Sequence, residues 1–180
     1  MQIPRPDPPL RDELVALRPW SLDDVATVAR ACQDPEIARW TMVPTPYSEA
    51  DARHWLETVT DPAIEDHLAL AMTTSDGGHV VGSMSLFIMK PGVGEFGYWA
   101  APEARGRGYT TRALRLLARW TLDELKLPRL QLGTLRGNTA SERVAEKAGF
   151  SREGVLRSYL DQRGERRDVL MWSLLPGELP

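Results

Sequence analysis

A glycine-rich segment with two arginines lies between a predicted strand and a predicted helix, where it could bind a ligand. It consists of Arg105, Gly106, Arg107, Gly108, Tyr109 and Thr110. Glycines let a backbone approach a ligand closely, and the free N–H groups and positive dipole at a helix N-terminus attract phosphate. The two guanidinium groups add charge-assisted hydrogen-bond donors. We therefore predict a phosphate-binding loop at residues 105–110.

Two common phosphate-binding loops do not match this segment. A Walker A loop requires the pattern G-x-x-x-x-G-K-[ST], which does not occur in the sequence. A dinucleotide-binding fingerprint requires G-x-G-x-x-G, but Thr111 stands where the third glycine belongs. The strands predicted before the loop also form a meander, whereas that fingerprint follows the first strand of a βαβ unit. Another class of phosphorylated ligand is therefore favoured.

A second segment with chemical potential begins at Asn138, continues through Ser141 and ends at Gly149 and Phe150. Asn138 is a favourable helix N-cap, and Gly149 is suited to the left-handed conformation that ends a helix. Together with the loop, this segment resembles the GNAT superfamily of N-acetyltransferases. The acyl-CoA loop of that superfamily reads [QR]-x-x-G-x-[GA], from which Thr110 departs, and its second motif reads N-x-x-S/A followed by K-x-G-F. The resemblance covers about residues 14–175. It is greatest to the ribosomal-protein alanine and serine N-terminal acetyltransferases of the RimJ/RimL type.

The resemblance implies that acetyl-CoA is the cosubstrate. The residues that it assigns to acetyl-CoA are Trp99, Ala100, Arg105, Gly106, Arg107, Gly108, Tyr109, Thr110, Asn138 and Ser141. It also implies that a primary amine, on a protein N-terminus or a small molecule, attacks the thioester directly in a ternary complex. The oxyanion formed in that attack would meet a backbone N–H near Ala100.

Two side chains are candidates for catalysis. Glu95, on the strand before the loop, is the candidate general base, acting directly or through a water; a solvent-facing strand residue is the alternative interpretation. In the resembling branch, a serine at the position of Ser141 would hydrogen-bond the CoA sulfur, although it could also belong only to the helix cap. Many relatives have a tyrosine as general acid where this sequence has Ala145, which leaves Tyr159 as an alternative acid.

The elements that must position these residues fit one domain of 180 residues. Residues 1–12 contain four prolines and almost nothing to bury, which predicts an extended arm. Residues 13–180 are predicted to form a single N-acetyltransferase domain. Turn signals at residues 75–78 and 91–92 predict a β-meander ahead of the loop. The predicted class is α+β (α/β), a GNAT acyl-CoA N-acyltransferase fold with a mixed six- to seven-stranded sheet flanked by about four helices.

Charge is unevenly divided along the chain, although the formal net charge is only −3. Residues 1–100 hold 15 acidic and 7 basic residues, whereas residues 101–180 hold 10 acidic and 15 basic residues. The basic half contains the predicted phosphate loop, so a nucleic-acid partner is not needed to explain it. The acidic half would favour a cationic acceptor if the first helices line the cleft. Trp40, Trp55 and Trp99 are candidates for the same wall, with the core as the alternative.

The cysteine and histidine content favours a reducing compartment without a structural metal. Cys32 is the single cysteine, and no Cys/His pair has metal-ligand spacing. His54 and His67 are given no catalytic role. No apolar run approaches the roughly 18 residues of a membrane span, and the N-terminus lacks a secretory pattern. We therefore expect a cytoplasmic enzyme without a nucleic-acid or membrane partner. A homodimer through a sheet edge or the arm is compatible with the sequence, and a CoA-binding module without turnover is the alternative to an enzyme.

Overall fold

A computed structural model describes residues 3–76, 78–90 and 92–179, with the side chain of Lys90 left out. The predicted turn residues Gly77 and Pro91, and the first two residues of the predicted arm, lie outside these ranges. The described residues form seven strands and five α-helices, so the predicted fold class is confirmed, with one helix more than expected. One of the five is a short helix that begins at Pro35 and ends at Trp40, with the Asp34 side chain as its N-cap.

The elements follow one another as a first strand, three helices, a three-stranded meander, a helix, a strand, a helix and a final hairpin. The strands are β1 (Val15–Pro19), β2 (His67–Thr74), β3 (Val80–Lys90), β4 (Val93–Ala100), β5 (Arg129–Leu135), β6 (Ser151–Gln162) and β7 (Glu165–Leu174). The helices are α1 (Val25–Cys32), α2 (Pro35–Trp40), α3 (Glu49–Thr60), α4 (Tyr109–Asp123) and α5 (Thr139–Ala148). The strand order is β1-β2-β3-β4-β5-β7-β6.

Helices cover the sheet on both faces, and the alternation of side chains along β2 explains how. Leu68, Leu70 and Met72 point to the face covered by α4 and α5, whereas Ala69 and Ala71 point to the face covered by α1 and α3. Each large side chain that is fully buried in this way stabilises the fold by about 1.5–3 kcal/mol. The small alanines let the second helical layer approach the sheet closely.

The sheet opens at its centre, between the only two described strands that pair in parallel. The register of β4 with β5 runs from Val93 opposite Arg129 to Phe96 opposite Leu132 and ends there. Both strands continue beyond that point, β4 to Ala100 and β5 to Leu135. Beyond that point β4 and β5 no longer pair with each other, which leaves a gap in the sheet beside the glycine-rich loop.

The N-terminal segment is more closely attached than the sequence predicts. Ile3 is buried in the same core as α4, and its N–H donates a hydrogen bond of 3.0 Å to the carbonyl oxygen of Glu65. Farther along, Arg11 forms a β-bridge with Ala16. The expectation that the arm buries almost nothing is therefore wrong for Ile3, because this apolar side chain packs in the core that includes α4. No helix in the described ranges combines the length and the apolar character needed to cross a membrane.

Candidate functional site

A cavity of about 1190 Å³ runs from the gap between β4 and β5 to the helices on the opposite face of the sheet. Nine of the predicted site residues line it: Trp99, Ala100, Arg105, Gly106, Gly108, Tyr109, Thr110, Asn138 and Ser141. The structure therefore brings together two segments that are separate in the sequence. Glu95 and Arg107 are not among the lining residues.

The glycine-rich loop owes its shape to two glycines in the left-handed region. Gly106 has a φ of +74° and Gly108, the N-cap of α4, has a φ of +89°. Larger residues adopt these angles only with strain. A side chain at Gly106 would meet nothing within 4 Å, so the loop is open there. Because Tyr109 and Thr110 also line the cavity, the positive end of α4 borders it.

Two arginines near the loop, Arg105 and Arg112, are already paired with carboxylates. Arg105 donates to Asp34 at 2.6 Å and to the carbonyl oxygen of Ala100 at 3.4 Å. Arg112 is paired with Asp12 at 2.7 Å and also contacts Glu13. The positive character of this part of the cavity therefore comes from the backbone of the loop and α4 as well as from side chains.

Two cations of α5 also line the cavity, Arg143 and Lys147. Neither was singled out from the sequence for phosphate binding. Their i, i+4 spacing puts them on one side of a helix, and this spacing could have indicated from the sequence that the two charges act together. The sequence did not reveal that this side borders the cavity, because that depends on how α5 packs against the sheet.

Asn138 caps α5 as predicted, and it fixes the first turn that carries Ser141. The Asn138 side-chain oxygen accepts a hydrogen bond of 3.2 Å from the Ser141 N–H. The Ser141 hydroxyl lies 2.8 Å from the hydroxyl of Tyr98 on β4. Burial raises the pKa of Tyr98 to about 12, and the contact with Ser141 offsets this only in part. Position 145 on the same helix is a fully buried alanine, which has no hydroxyl to offer.

The ladder between β3 and β4 directs backbone donors into the gap. The Ala101 N–H donates to the Val81 carbonyl oxygen at 3.0 Å, which identifies these residues as a hydrogen-bonded pair. Since pairs alternate along an antiparallel ladder, the N–H groups of Tyr98 and Ala100 point away from β3. Past the end of the register with β5, they face the cavity. Such donors are suited to bind a carbonyl oxygen or an oxyanion.

Aromatic residues form the wall of the cavity on the face covered by α1 and α3. Trp40, Trp55 and Trp99 all line it, as proposed from the sequence. Trp20 supports two of them, with ring centroids 5.4 Å from Trp55 in an edge arrangement and 6.3 Å from Trp99 in a stacked one. The aromatic cluster of Trp20, Trp55 and Trp99 therefore gives this part of the cavity a rigid apolar surface.

Glu95 lies on the same face of the sheet as Trp99, one row beyond the lining residue Gly97. Its carboxylate accepts a hydrogen bond of 2.7 Å from the Gln131 side chain on β5. On the neighbouring strand β3, the residue opposite Glu95 is Phe87. The structure thus holds the candidate base at the edge of the cavity without bringing it to the cavity surface.

His67 lies in the same row of the sheet as Glu95 and lines the cavity, although no catalytic role is expected for it from the sequence. Its ring stacks on Phe87 with a centroid separation of 4.1 Å and an interplanar angle of 12°. Burial lowers the pKa of His67, although Asp66 opposes the change, so the ring is neutral near pH 7. Its Nε2 atom is buried and has no hydrogen-bond partner among the described residues. Only the sheet register reveals this position, because His67 and Glu95 are far apart in sequence.

Two carboxylates of the acidic half line the cavity, as the cationic-acceptor hypothesis requires. Glu36 accepts a hydrogen bond of 2.9 Å from the indole N–H of Trp40, and Asp51 caps α3 through Ser48. Other acids of this half are used structurally. Asp24, for example, forms two hydrogen bonds of 2.8 Å with Arg18. The acidic count of the sequence therefore overstates the negative charge of the cavity.

Comparisons with known proteins agree on one family. The model of the acetyltransferase (GNAT) domain matches residues 15–151. A curated relative, an uncharacterized N-acetyltransferase named p20 from Bacillus licheniformis, is 26% identical over 173 residues, which cover 94% of this chain and 97% of that protein.

Solved structures give the same result over nearly the whole chain. RimJ of Mycobacterium smegmatis, in complex with CoA-disulfide, is 25% identical with a TM-score of 0.82, and the match covers 96% of this chain and 88% of that one. The microcin C7 self-immunity acetyltransferase MccE, in complex with acetyl-CoA and AMP, is 20% identical with a TM-score of 0.83, covering 91% of this chain and 93% of that one. At that identity the second likeness shows the fold alone.

Proposed function

The chain belongs to the GNAT acetyltransferase family, as the sequence predicts, and on that premise we propose that it transfers the acetyl group of acetyl-CoA to a primary amine. The observation that carries the proposal is the continuity of one cavity across the sheet. A polar end made of the glycine-rich loop and the start of α5 joins an aromatic end made by the helices of the opposite face. The reaction requires two substrates that meet, and such a cavity suits both.

Acetyl-CoA enters from the polar end in this proposal. Its phosphates bind the loop around Gly106 and Gly108 and the N-terminus of α4, with Arg107 at the outer edge. The pantetheine arm follows the unpaired end of β4 at Trp99 and Ala100 and contacts Asn138. The thioester then lies near the N–H groups of Tyr98 and Ala100, which donate hydrogen bonds to the carbonyl oxygen as negative charge develops on it.

The reaction is a direct transfer between bound substrates. The neutral amine nitrogen attacks the thioester carbon, a C–N bond forms, and the carbonyl electrons move to oxygen. Collapse of this intermediate re-forms the carbonyl and breaks the C–S bond, so that sulfur leaves as thiolate beside Ser141. Glu95 receives the amine proton through a water, since its carboxylate lies one row away from the lining residues. A base in this position contributes about 10²–10⁴-fold to the rate.

The acceptor end favours an amine attached to an apolar or aromatic group. Trp40, Trp55 and Phe87 offer apolar surface, while Glu36 and Asp51 supply negative charge at the lining. Protein N-termini are the first acceptors to test because RimJ is among the similar structures. Small-molecule amines are the second class.

The experiment is release of CoA thiol from acetyl-CoA, measured with a thiol-reactive dye over a panel of amines. The panel contains peptides with N-terminal alanine or serine, polyamines and arylalkylamines. We expect release with one class, and mass spectrometry of a cell extract incubated with the protein and acetyl-CoA should identify the acetylated product. Measurable CoA binding without thiol release for any acceptor would instead favour a CoA-binding module without turnover.

We further propose that residues 13–180 act as one N-acetyltransferase domain in the cytoplasm, needing acetyl-CoA and the amine but no metal. Burial raises the pKa of the Cys32 thiol to about 12, so this cysteine is kept as an unreactive thiol.

Cell fractionation tests the location. Sedimentation with and without residues 1–12 tests whether a homodimer forms and whether the arm contributes to it.

A further inference from the structure

The contact between Tyr98 and Ser141 crosses the gap that the proposed function assigns to the thioester. Tyr98 lies on β4 after its register with β5 has ended, and Ser141 lies in the first turn of α5, 43 residues later. The two hydroxyl oxygens are 2.8 Å apart, and the Tyr98 hydroxyl is 3.4 Å from the Ser141 carbonyl oxygen. Ser141 lines the cavity directly, and Tyr98 does so beside it.

Either hydroxyl could donate on geometry alone, and the chemistry of the two groups favours Tyr98 as the donor. A phenol is a stronger acid and hence a better donor than an aliphatic hydroxyl, and the Ser141 hydroxyl is the nearer of its two acceptors. Burial keeps Tyr98 protonated throughout the neutral range, since its pKa is raised to about 12. When the phenol donates to the serine oxygen, the single proton of Ser141 must point elsewhere, and the cavity is open to it.

We infer that Tyr98 is a positioning residue that fixes the Ser141 hydroxyl so that its proton is directed at the sulfur of CoA. The inference rests on the proposed function and adds a residue to it. Asn138 supports the same arrangement because it binds the Ser141 N–H at 3.2 Å and thereby fixes the backbone below the hydroxyl.

Tyr98 does not itself donate a proton to the leaving group. A thiol has a pKa of about 8.5, far below that of the buried phenol, so transfer from Tyr98 to the thiolate is uphill by more than about three pKa units. The C–S electron pair leaves on sulfur, the Ser141 proton forms a hydrogen bond to the thiolate, and Tyr98 remains hydrogen-bonded to the serine oxygen. The thiolate takes its proton from solvent, and the amine proton leaves through the base, so protons and charges balance.

The test compares Tyr98→Phe, Ser141→Ala and the double variant with the unmodified protein. Phenylalanine keeps the ring in place and removes only the hydroxyl. Thr121→Val on α4 is the control, because it also removes a buried hydroxyl but one that lies outside the cavity lining. We expect Tyr98→Phe to lower kcat about tenfold while the KM for acetyl-CoA stays within about twofold. Ser141→Ala should lower kcat at least as much, and the double variant should be no slower than Ser141→Ala.

A second measurement reads the hydrogen bond to sulfur without any acceptor amine. The ultraviolet absorbance of thiolate gives the pKa of the CoA thiol bound to each variant. We expect the bound thiol to be more acidic than free CoA, and Tyr98→Phe to raise its pKa by about half a unit to one unit. Affinity for S-methyl-CoA, which cannot form a thiolate, should not change. A merely structural role of Tyr98 would weaken binding of both ligands alike.

The outcomes separate this inference from the proposed function. If no amine is acetylated but the bound CoA thiol is more acidic than free CoA, the proposed enzymatic activity is refuted. The Tyr98–Ser141 arrangement then still stands. An unchanged kcat and thiol pKa in Tyr98→Phe would overturn the positioning role, as would a loss of S-methyl-CoA affinity equal to the loss of CoA affinity. An equal fall of kcat in Thr121→Val would show that loss of any buried hydroxyl slows the enzyme, and it would also overturn the positioning role.

Discussion

The two ends of the cavity are built from different parts of the polypeptide. At the polar end, the shape and the hydrogen-bond donors of the cavity come mainly from the backbone. Gly106 and Gly108 adopt positive φ, Asn138 caps a helix and β4 presents free N–H groups. At the aromatic end, side chains form the surface, since tryptophans from α2, α3 and β4 line the cavity there. A ligand common to a whole family suits a site built from backbone. A ligand that differs between members suits a site built from side chains, which change without altering the fold.

The largest expected effect comes from Glu95, which lies at the edge of the cavity, one row from its lining residues. Glu95→Gln keeps the shape of the side chain and an oxygen that accepts the Gln131 hydrogen bond, but removes the base. We expect kcat to fall about 10²-fold or more, with the KM for acetyl-CoA nearly unchanged. Glu57→Gln, on the exposed side of α3, is the control. A kcat within about threefold of the unmodified protein would mean that Glu95 is an ordinary strand residue.

The polar end is tested by Gly106→Val. Valine at a φ of +74° is strained by about 1–3 kcal/mol, and relief of that strain would turn the loop away from the phosphates. We expect acetyl-CoA affinity, measured by calorimetry, to fall about 30-fold while the amine KM at saturating acetyl-CoA stays constant. Gly177→Val, at a φ of +89° near the C-terminus, carries the same strain remote from the cavity. Equal losses in both variants would show that backbone strain lowers overall stability rather than loop function.

The aromatic end is tested by Trp55→Leu, which should have the opposite pattern. Loss of the indole surface and of its contact with Trp20 is expected to raise the amine KM about tenfold without changing acetyl-CoA affinity. Trp120→Leu is the matched control because Trp120 packs on the other face of the sheet and lies outside the cavity lining. If Trp55→Leu instead weakened acetyl-CoA binding, the two ends would not be separate sites.

The smallest effect concerns the ion pair that joins the two ends, between Arg105 of the loop and Asp34 of α2. Burial raises the pKa of Asp34, but the hydrogen bonds from Arg105 and Ile37 outweigh it, so the net direction is downward. A lowered pKa means that the pair stabilises the fold above the ordinary aspartate range and loses that contribution as the pH falls below it.

Asp34→Asn keeps the helix cap and removes the charge. We expect it to lower the free energy of unfolding in urea by about 1 kcal/mol near pH 7, because the pair is partly exposed, and by less near pH 3. Asp7→Asn, in the exposed N-terminal segment, should show no such difference. An Asp34→Asn effect of the same size at both pH values would exclude the ion pair as its cause.

At both ends of the cavity, local conformations could be predicted from the sequence better than contacts between distant segments, and specific residues show why. The loop glycines and the Asn138 cap follow from rules that act over a few residues, and the meander follows from turn signals. Arg105 was expected to face phosphate, yet its guanidinium binds Asp34, 71 residues earlier. The neutral His67 was set aside because nothing near it in sequence indicates that β2 and β3 carry it to the cavity.

The sequence by itself determined the local conformations at which function is located: two positive-φ glycines, a capped helix and a strand that ends beside them. Their physical origin is local, in the steric freedom of glycine and in hydrogen bonds between near neighbours. Only the tertiary structure decided that β4 and β5 separate after Phe96 and Leu132, that Tyr98 reaches Ser141 and that Glu95 stops short of the cavity surface. These positions depend on the register of a parallel strand pair joined by a long connection, and that register is fixed by packing of the two helical layers rather than by neighbours in sequence.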